Sequence, residues 1–366
     1  MLAGRNPSGE AIMNWTLGSM ALVPLCLLFV ANAQAGTLDD PRWVTYRGDS
    51  GAGSGKNIVL LSGDEEYRSE EGLPQMARIL ALRHGFNCTV LFSQSPEGII
   101  DPDNSSNIPG MHLIDDADLV IMLLRFRRLP DEDMGHLVKY VEAGKPLIGL
   151  RTSTHAFKYE GNSTSPYAKW SWRSKEWKDG FGGQVLGETW VNHHGHHGQE
   201  STRGVIPAAV AQHPILQGVT DVWGRTDVYG IRKLPADATV LLEGSVRAGM
   251  TPDAPAVEGP KNSPRHPVFW TRQRKLPEGN LQRIVCTTMG ASRDLESIDL
   301  RRAIVNGSYW CLGIEDKIDP KSSMEIVGEY KPTPFGFGQS TKGVRPQDHA
   351  YPKKAAVTEP IKDKKD

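Results

Sequence analysis

The stretch ETWVNHHGHHGQE, residues 188–200, packs four of the chain's 11 histidines into five positions: His193, His194, His196 and His197. Imidazole binds zinc, iron, nickel and copper, and it moves protons near neutral pH. In an extended segment His194 and His196 share one face, and His193 and His197 share the other. Gly195 allows a bend that brings three rings together. No H-E-x-x-H or other ligand signature accompanies the run. Three readings stand: a divalent metal site, zinc or similar; histidines that contact substrate or transfer protons; or a solvated loop.

Other chemistry-bearing residues gather where apolar runs stop. The run ending at Gly63 is followed by Asp64, Glu65, Glu66, Tyr67 and Arg68. A second ends in Arg125, Arg127 and Arg128, and a third in Arg151, Thr152, Ser153, Thr154 and His155. RTDVYG adds Asp227 and Tyr229. Acids, guanidinium groups and imidazoles together suit a small, oxygen-rich ligand such as a sugar. His155, Glu66 and Asp227 are the candidates for proton transfer. Arg151, Tyr67, Arg125, Thr154, Trp190 and Tyr229 are the candidates for substrate contact. Arg151 stays charged at working pH, so its expected task is to hold an anionic or carbonyl oxygen with forked hydrogen bonds. The competing reading pairs Arg151 with Glu65 or Glu66 and leaves His155 as a cap. Of Trp170, Trp172, Trp177 and Trp190, one or two would stack on a ligand and the others pack loops.

The elements that must position these residues alternate. NIVLLS (57–62), NCTVLFS (87–93), ADLVIMLLRF (117–126) and PLIGL (146–150) read as strands. EEGLPQMARILALRHGF is a helix stopped by Gly85. PDEDMGHLVKYVEAGK is a helix opened by Pro130 and ended by Gly144. This alternation predicts an α/β fold: a doubly wound, mostly parallel sheet with helices on both faces. In such a sheet, ligands bind at the carboxyl ends of the strands, where the residues above stand. The middle, 156–235, reads as loops with short strands. DATVLLEG, HPVFWTR and LQRIVCTT are late strands, and a last helix starts at about Leu295. GAGSGKN fails as a phosphate loop: Ser50 stands where Gly is needed, Asn57 follows Lys56, and a strand comes after it. A nucleotide site is rejected, and the stretch is expected to be a flexible lead-in.

The chain has 366 residues and a formal net charge of −1. That balance gives no electrostatic footprint for nucleic acid and no polybasic membrane patch. Near the start, an apolar run containing Pro24 ends in Ala33-Gln34-Ala35 before Gly36. This is the pattern of a secretory signal peptide, with translation starting at Met1 or Met13. Cys88, Cys286 and Cys311 remain after it and make no disulfide framework. The expected organisation is a signal peptide over 1–35, a linker arm over 36–55, one domain over 56–318, and a surface-wrapping tail with a disordered, charged end over 319–366. The expected location is secreted or periplasmic, with no membrane span after cleavage and with a homo-oligomer allowed.

LSGDEEYRSEEGLP, VEAGKPLIGLRTSTHAF, HPILQGV, HPVFWTR and TTMGASRDLESIDLRRAIVNGSYWCLG together resemble the ThuA-like (trehalose utilisation) family, over roughly 55–318. The resemblance implies a class I glutamine-amidotransferase-like, flavodoxin-like fold. It also implies a role in sugar metabolism, particularly with oxidised 3-keto disaccharides. Where amidotransferases carry a G-x-C-x-G elbow, this chain reads Gly149-Leu150-Arg151-Thr152-Ser153, which excludes glutamine hydrolysis. Many members place histidine at the elbow and after the late TTLG motif; here those positions are Arg151 and Ala291. The expected function is a secreted carbohydrate-active hydrolase, lyase or isomerase acting by acid–base, optionally metal-assisted, chemistry. The alternative is a sugar-binding or scaffolding domain that kept the fold and lost the nucleophile.

Export predicts a mature chain beginning at Gly36. Mass spectrometry of protein from the native envelope fraction checks this; an intact N-terminus in the cytosol contradicts it.

Overall fold

Period-two alternation of apolar side chains divides the interior into two layers. The computed structural model describes residues 40–351. The expected signal peptide, the choice of start and the charged end beyond residue 351 lie outside them. Strand β2 (Asn57–Gly63) sends Ile58 and Leu60 to one face and Val59 and Leu61 to the other. β4 (Leu119–Leu124) splits in the same way, Leu119, Ile121 and Leu123 against Val120, Met122 and Leu124. Both faces are apolar because both are covered.

These strands join β3 (Asn87–Phe92), β5 (Leu147–Leu150) and β10 (Leu281–Thr287) in a parallel core ordered β3-β2-β4-β5-β10. Helices α1 (Ser69–His84) and α3 (Ile298–Cys311) cover one face, and α2 (Asp131–Glu142) covers the other. This is the expected doubly wound α/β arrangement. Its flanks are antiparallel: β9 (His266–Lys275), β8 (Ala238–Arg247), β6 (Ser201–Val205) and β7 (Trp223–Gly224) extend it from β10, giving ten strands. On the opposite edge β1 (Trp43–Tyr46) pairs antiparallel with β3. The stretch expected to be a linker arm thus contains a strand, built on buried Trp43, Val44 and Tyr46. GAGSGKN, expected to be flexible, is pinned by the Gly53 N–H to His84 O at 2.8 Å.

Local chemistry sets the helix ends. Gly85 stops α1 in the left-handed region at φ 84°, its N–H reaching Ala81 O and the next N–H reaching Leu80 O. The last helix begins at Ile298 rather than Leu295, because Ser297 caps it by accepting the Leu300 N–H; residues 292–296 form a separate tight turn. Cys88, Cys286 and Cys311 are buried and unpaired. Among the described residues no helix is long and apolar enough to cross a membrane.

His84, on the last turn of α1, is buried between Tyr309 OH (3.1 Å) and Ser323 O (3.2 Å). Burial lowers its pKa to about 4. The unfolded chain therefore binds a proton that the folded chain refuses. The stability tied to His84 is complete above pH ~6.5 and drains away as the pH falls toward 4. Urea unfolding should show the gap between wild type and His84→Gln changing by about 1–2 kcal/mol between neutrality and about pH 5. A gap independent of pH contradicts this account.

Candidate functional site

The parallel strands deliver their polar residues to one edge, and several arrive on strained backbone. Arg68, Phe126 and Arg151, just beyond β2, β4 and β5, are all left-handed, at φ 58°, 52° and 40°. Non-glycine residues hold this conformation only where surrounding contacts enforce it, and such positions concentrate at functional sites. After β2, the Asp64 carboxylate accepts the N–H groups of Glu66 and Tyr67, each at 2.7 Å, and the Thr152 hydroxyl from the elbow after β5. One buried acid thus sets two loops together. After β4, the N–H of Phe126 reaches His155 O at 3.0 Å, joining the third loop.

Arg151 occupies the elbow with its side chain fully buried. Its Nη1 donates to Asp227 O and Thr288 O, both at 2.7 Å, and its Nη2 donates to Asp227 Oδ1 at 2.7 Å and Tyr67 OH at 3.1 Å. Its guanidinium carbon lies 3.7 Å from the centre of the Tyr229 ring. The expectation that Arg151 grips a ligand is corrected: its fork is spent on the protein. The competing pairing with Glu65 or Glu66 is corrected too, since Glu65 is held by Arg125 and by Arg127 (2.7 Å).

The histidine run lies against the strand-like segment that carries Asp227. His194 N–H and Gly195 N–H both reach Val228 O, at 2.9 and 3.0 Å. A methyl group on Gly195 would sit 3.0 Å from Asp227 Cβ, so glycine permits the approach. The chain then turns, with the Glu200 N–H on His196 O, and so returns His197 to the side of His193. Their ring centres are 4.7 Å apart. His193 Nδ1 lies 2.7 Å from Asp227 Oδ2, and His197 Nδ1 lies 3.4 Å from Asp227 Oδ1. Ligand atoms from these three residues lie within 4.8 Å of one another. His194 and His196 are elsewhere, which corrects the four-histidine metal set. His194 meets Lys261 O and lies edge-on to His266, while His196 is exposed and its N–H is held by Glu200.

Over this group opens a cavity of about 290 Å³ lined by Glu66, Arg125, Phe126, His155, Trp190, His193, His197, Tyr229 and Phe337. Glu66, 5% exposed, sits between Arg125 Nε (3.4 Å) and His197 Nε2 (3.3 Å). Burial and the charge of Asp64 raise its pKa against the pull of Arg125 and His197. His155 is packed among Phe126, Trp172, Trp190 and Tyr229; burial, with Arg125, Arg151 and His193 nearby, pushes its pKa well down, so it is a neutral imidazole. Burial alone would raise the Asp227 carboxyl. The Arg151 charge and the hydrogen bonds from His193 and His197 overcome that and hold it below the usual carboxylate range.

Of the expected site residues, Glu66, His155, Arg125, Trp190, Tyr229, His193 and His197 thus share one cavity. Asp227 and Tyr67 lie beneath, touching its histidines. Thr154 is buried and its hydroxyl reaches Arg151 O and His155 Nδ1, so the expectation of a ligand contact there is corrected. Three contributors were not singled out from the sequence: Phe126, which follows β4 and lines the cavity, and two aromatic residues of the tail. Phe337 lines the cavity, and Phe335 packs on Tyr67 and His197, with ring centres 5.4 and 5.2 Å away. They ride on a tail strap tied down by Thr333 N–H to Glu71 (2.7 Å) and Gly336 N–H to Glu66 O (2.8 Å). The signal was there in TPFGFGQST, two aromatic residues spaced by glycines.

Arg151→Met leaves the Asp227 carboxylate buried without its cation. It should cost about 3–5 kcal/mol in urea unfolding. Adding Asp227→Asn should recover part of that loss, as expected for coupled neighbours. Strict additivity of the two changes would show that the pair does not hold the site.

No curated protein matches the chain in sequence. Similar solved structures include a protein described as ThuA-like from Bacteroides uniformis, with 13% identity and TM-score 0.42 over 73% of this chain and 95% of that one. Another so described, from Parabacteroides merdae, has 13% identity and TM-score 0.44 over 80% and 98%. The glutaminase domain of Trypanosoma brucei CTPS has 9% identity and TM-score 0.35 over 74% and 98%. The sequence profile of the ThuA family, described as trehalose utilisation, matches residues 103–311, more than half of the chain, and the chain belongs to that family.

Proposed function

We propose that this protein is an exported enzyme that acts on a sugar or keto-sugar of the 3-keto-glycoside type by acid–base chemistry. The observation that carries the reading is the convergence of Glu66, His155, His193 and His197 in one cavity above Asp227. A scattered set would fit a binding module better. Membership of a family described by trehalose utilisation supports a sugar as the ligand. The cavity is of a size for a small ligand. Its walls offer apolar rings for the C–H face of a pyranose (Trp190, Phe126, Phe337) and a guanidinium for its oxygens (Arg125).

The residues divide the work by their surroundings. Asp227 accepts from His193 Nδ1, which leaves His193 Nε2 as a proton acceptor. Glu66, with its carboxyl raised by burial, is suited to donate its own proton to a leaving or enol oxygen, ending as the carboxylate while His193 holds the proton it took. Neutral His155 can hydrogen-bond a carbonyl without adding charge. Arg151 does not touch the ligand; it fixes the position and charge of Asp227. Arginine at the elbow also leaves no nucleophile there, so a covalent acyl route is not proposed.

A divalent ion fits the same residues. His193, His197 and Asp227 supply two imidazoles and one carboxylate in reach of one another, a set suited to zinc or iron. Asp227 Oδ1 is tied to Arg151 and Oδ2 to His193 Nδ1, so binding the ion would displace the His193 hydrogen bond. A bound ion would polarise a keto or hydroxyl oxygen of the substrate.

Purified protein should turn over a 3-keto-disaccharide and, if the ion is resident, carry about one divalent metal per chain. Glu66→Gln and His193→Ala should each lower kcat by about 10²–10⁴-fold while the melting temperature stays near wild type. Unchanged kcat in both variants, or sugar binding without any turnover, would sink the enzymatic reading. Metal content should disappear in His193→Ala and His197→Ala; a stoichiometric ion that survives both is held elsewhere.

A further inference from the structure

A second cavity, about 240 Å³, lies beside the first and is lined by Gly198, Arg225, Met250, Arg293, Pro334 and Phe335. The two meet at the strap. Phe335 lines this one, Phe337 lines the other, and the Phe335 ring lies 5.2 Å from that of His197, the residue before Gly198.

Its two cations are only partly balanced by the protein: Arg225 pairs with Glu296, and Arg293 has no carboxylate partner among the described residues. Arg293 follows β10, in the loop at the carboxyl edge of the sheet, and is half-buried. Its Nε is shut off from solvent and has no acceptor, and among the described residues no carboxylate pairs with its guanidinium. Arg225 spends Nε on Glu296 (3.1 Å) and Nη1 on Met250 O (3.0 Å), and its Nη2 has no protein acceptor. Two arginines thus line one cavity, and the only carboxylate paired with either among the described residues is Glu296, on Arg225. Forked donors match the planar oxygens of a carboxylate and the tetrahedral oxygens of a phosphate.

We propose that this cavity is an oxyanion-binding subsite in which Arg293 and Arg225 hold a carboxylate or phosphate group. The subsite stands on its own geometry. If the sugar reading of the neighbouring cavity is also right, the oxyanion is a substituent of the substrate, which makes that substrate an acidic or phosphorylated sugar.

Calorimetric titration of the full chain with inorganic phosphate, glucuronate, glucose 6-phosphate and glucose tests the proposal. At least one of the three anions should bind saturably, and Arg293→Met should weaken that binding about tenfold or more. Arg293 has no protein partner to lose, so the variant should melt no lower than wild type without anion. It should also lose the rise in Tm that the anion gives wild type. Arg293→Lys, which keeps the charge without the fork, should recover only part of the affinity. Arg128→Met, at an exposed arginine elsewhere, should bind as wild type does. Sensitivity of glucuronate or glucose 6-phosphate binding to Trp190→Ala marks the anion as part of a sugar spanning both cavities. Phosphate binding indifferent to Trp190→Ala marks a free anion, and it upholds the subsite even if no sugar is turned over. Absence of saturable binding by all three anions, or equal affinity in Arg293→Met, overturns the proposal.

Discussion

The candidate site depends on one buried ion pair. Arg151 and Asp227 come from distant parts of the chain, and neither could be buried alone without a large desolvation penalty. Together they are affordable, because four further groups add hydrogen bonds to the pair: Thr288 O and Tyr67 OH on the arginine, His193 and His197 on the acid. The pair fastens the elbow after β5 to the segment facing the histidine loop. It also fixes the charge state from which the histidines take their orientation. The left-handed backbone at Arg151 is tolerable because this network over-determines it.

The architecture was legible because the two-sided burial of the central strands writes itself as continuous apolar runs, and glycine or proline marks the helix ends. The edge strand β1 was not, since WVTY is short and sits beside a glycine-rich stretch that resembles a loop. At the site, residue types announced themselves but their partners did not. The alternation of faces groups His193 with His197, but only the bridge to Tyr229 and the turn at 196–200 seat the two over Asp227. Arg151 was identified as special for its place at the elbow. Whether its fork points outward or inward depends on Asp227, 76 residues away, and on a main-chain oxygen 137 residues away. Pairings at that separation leave no local pattern.

The family match spans 103–311, yet Glu66, Tyr67 and Phe337 lie outside it. The matched region holds the arginine–aspartate pair and the histidines. The segments on either side supply an acid and an aromatic wall. Charged and aromatic groups of the cavity therefore come both from the matched region (Arg125, His193, Phe126, Trp190) and from outside it (Glu66, Phe337).

The strap's anchorage has a consequence for how the protein is made. Gly336 binds the loop of Glu66 across a separation of 270 residues, so the pocket closes only when nearly the whole chain has been synthesised. Without Phe335 and Phe337, Glu66, Arg125 and His155 would stand on an open shelf. Closing so long a loop costs only logarithmically more entropy than closing a short one, so the few contacts at Glu71, Arg68 and Glu66 can secure it. Completeness of the polypeptide thereby becomes a condition for a finished pocket, and a product cut short before residue 330 would be a sheet with an unroofed site.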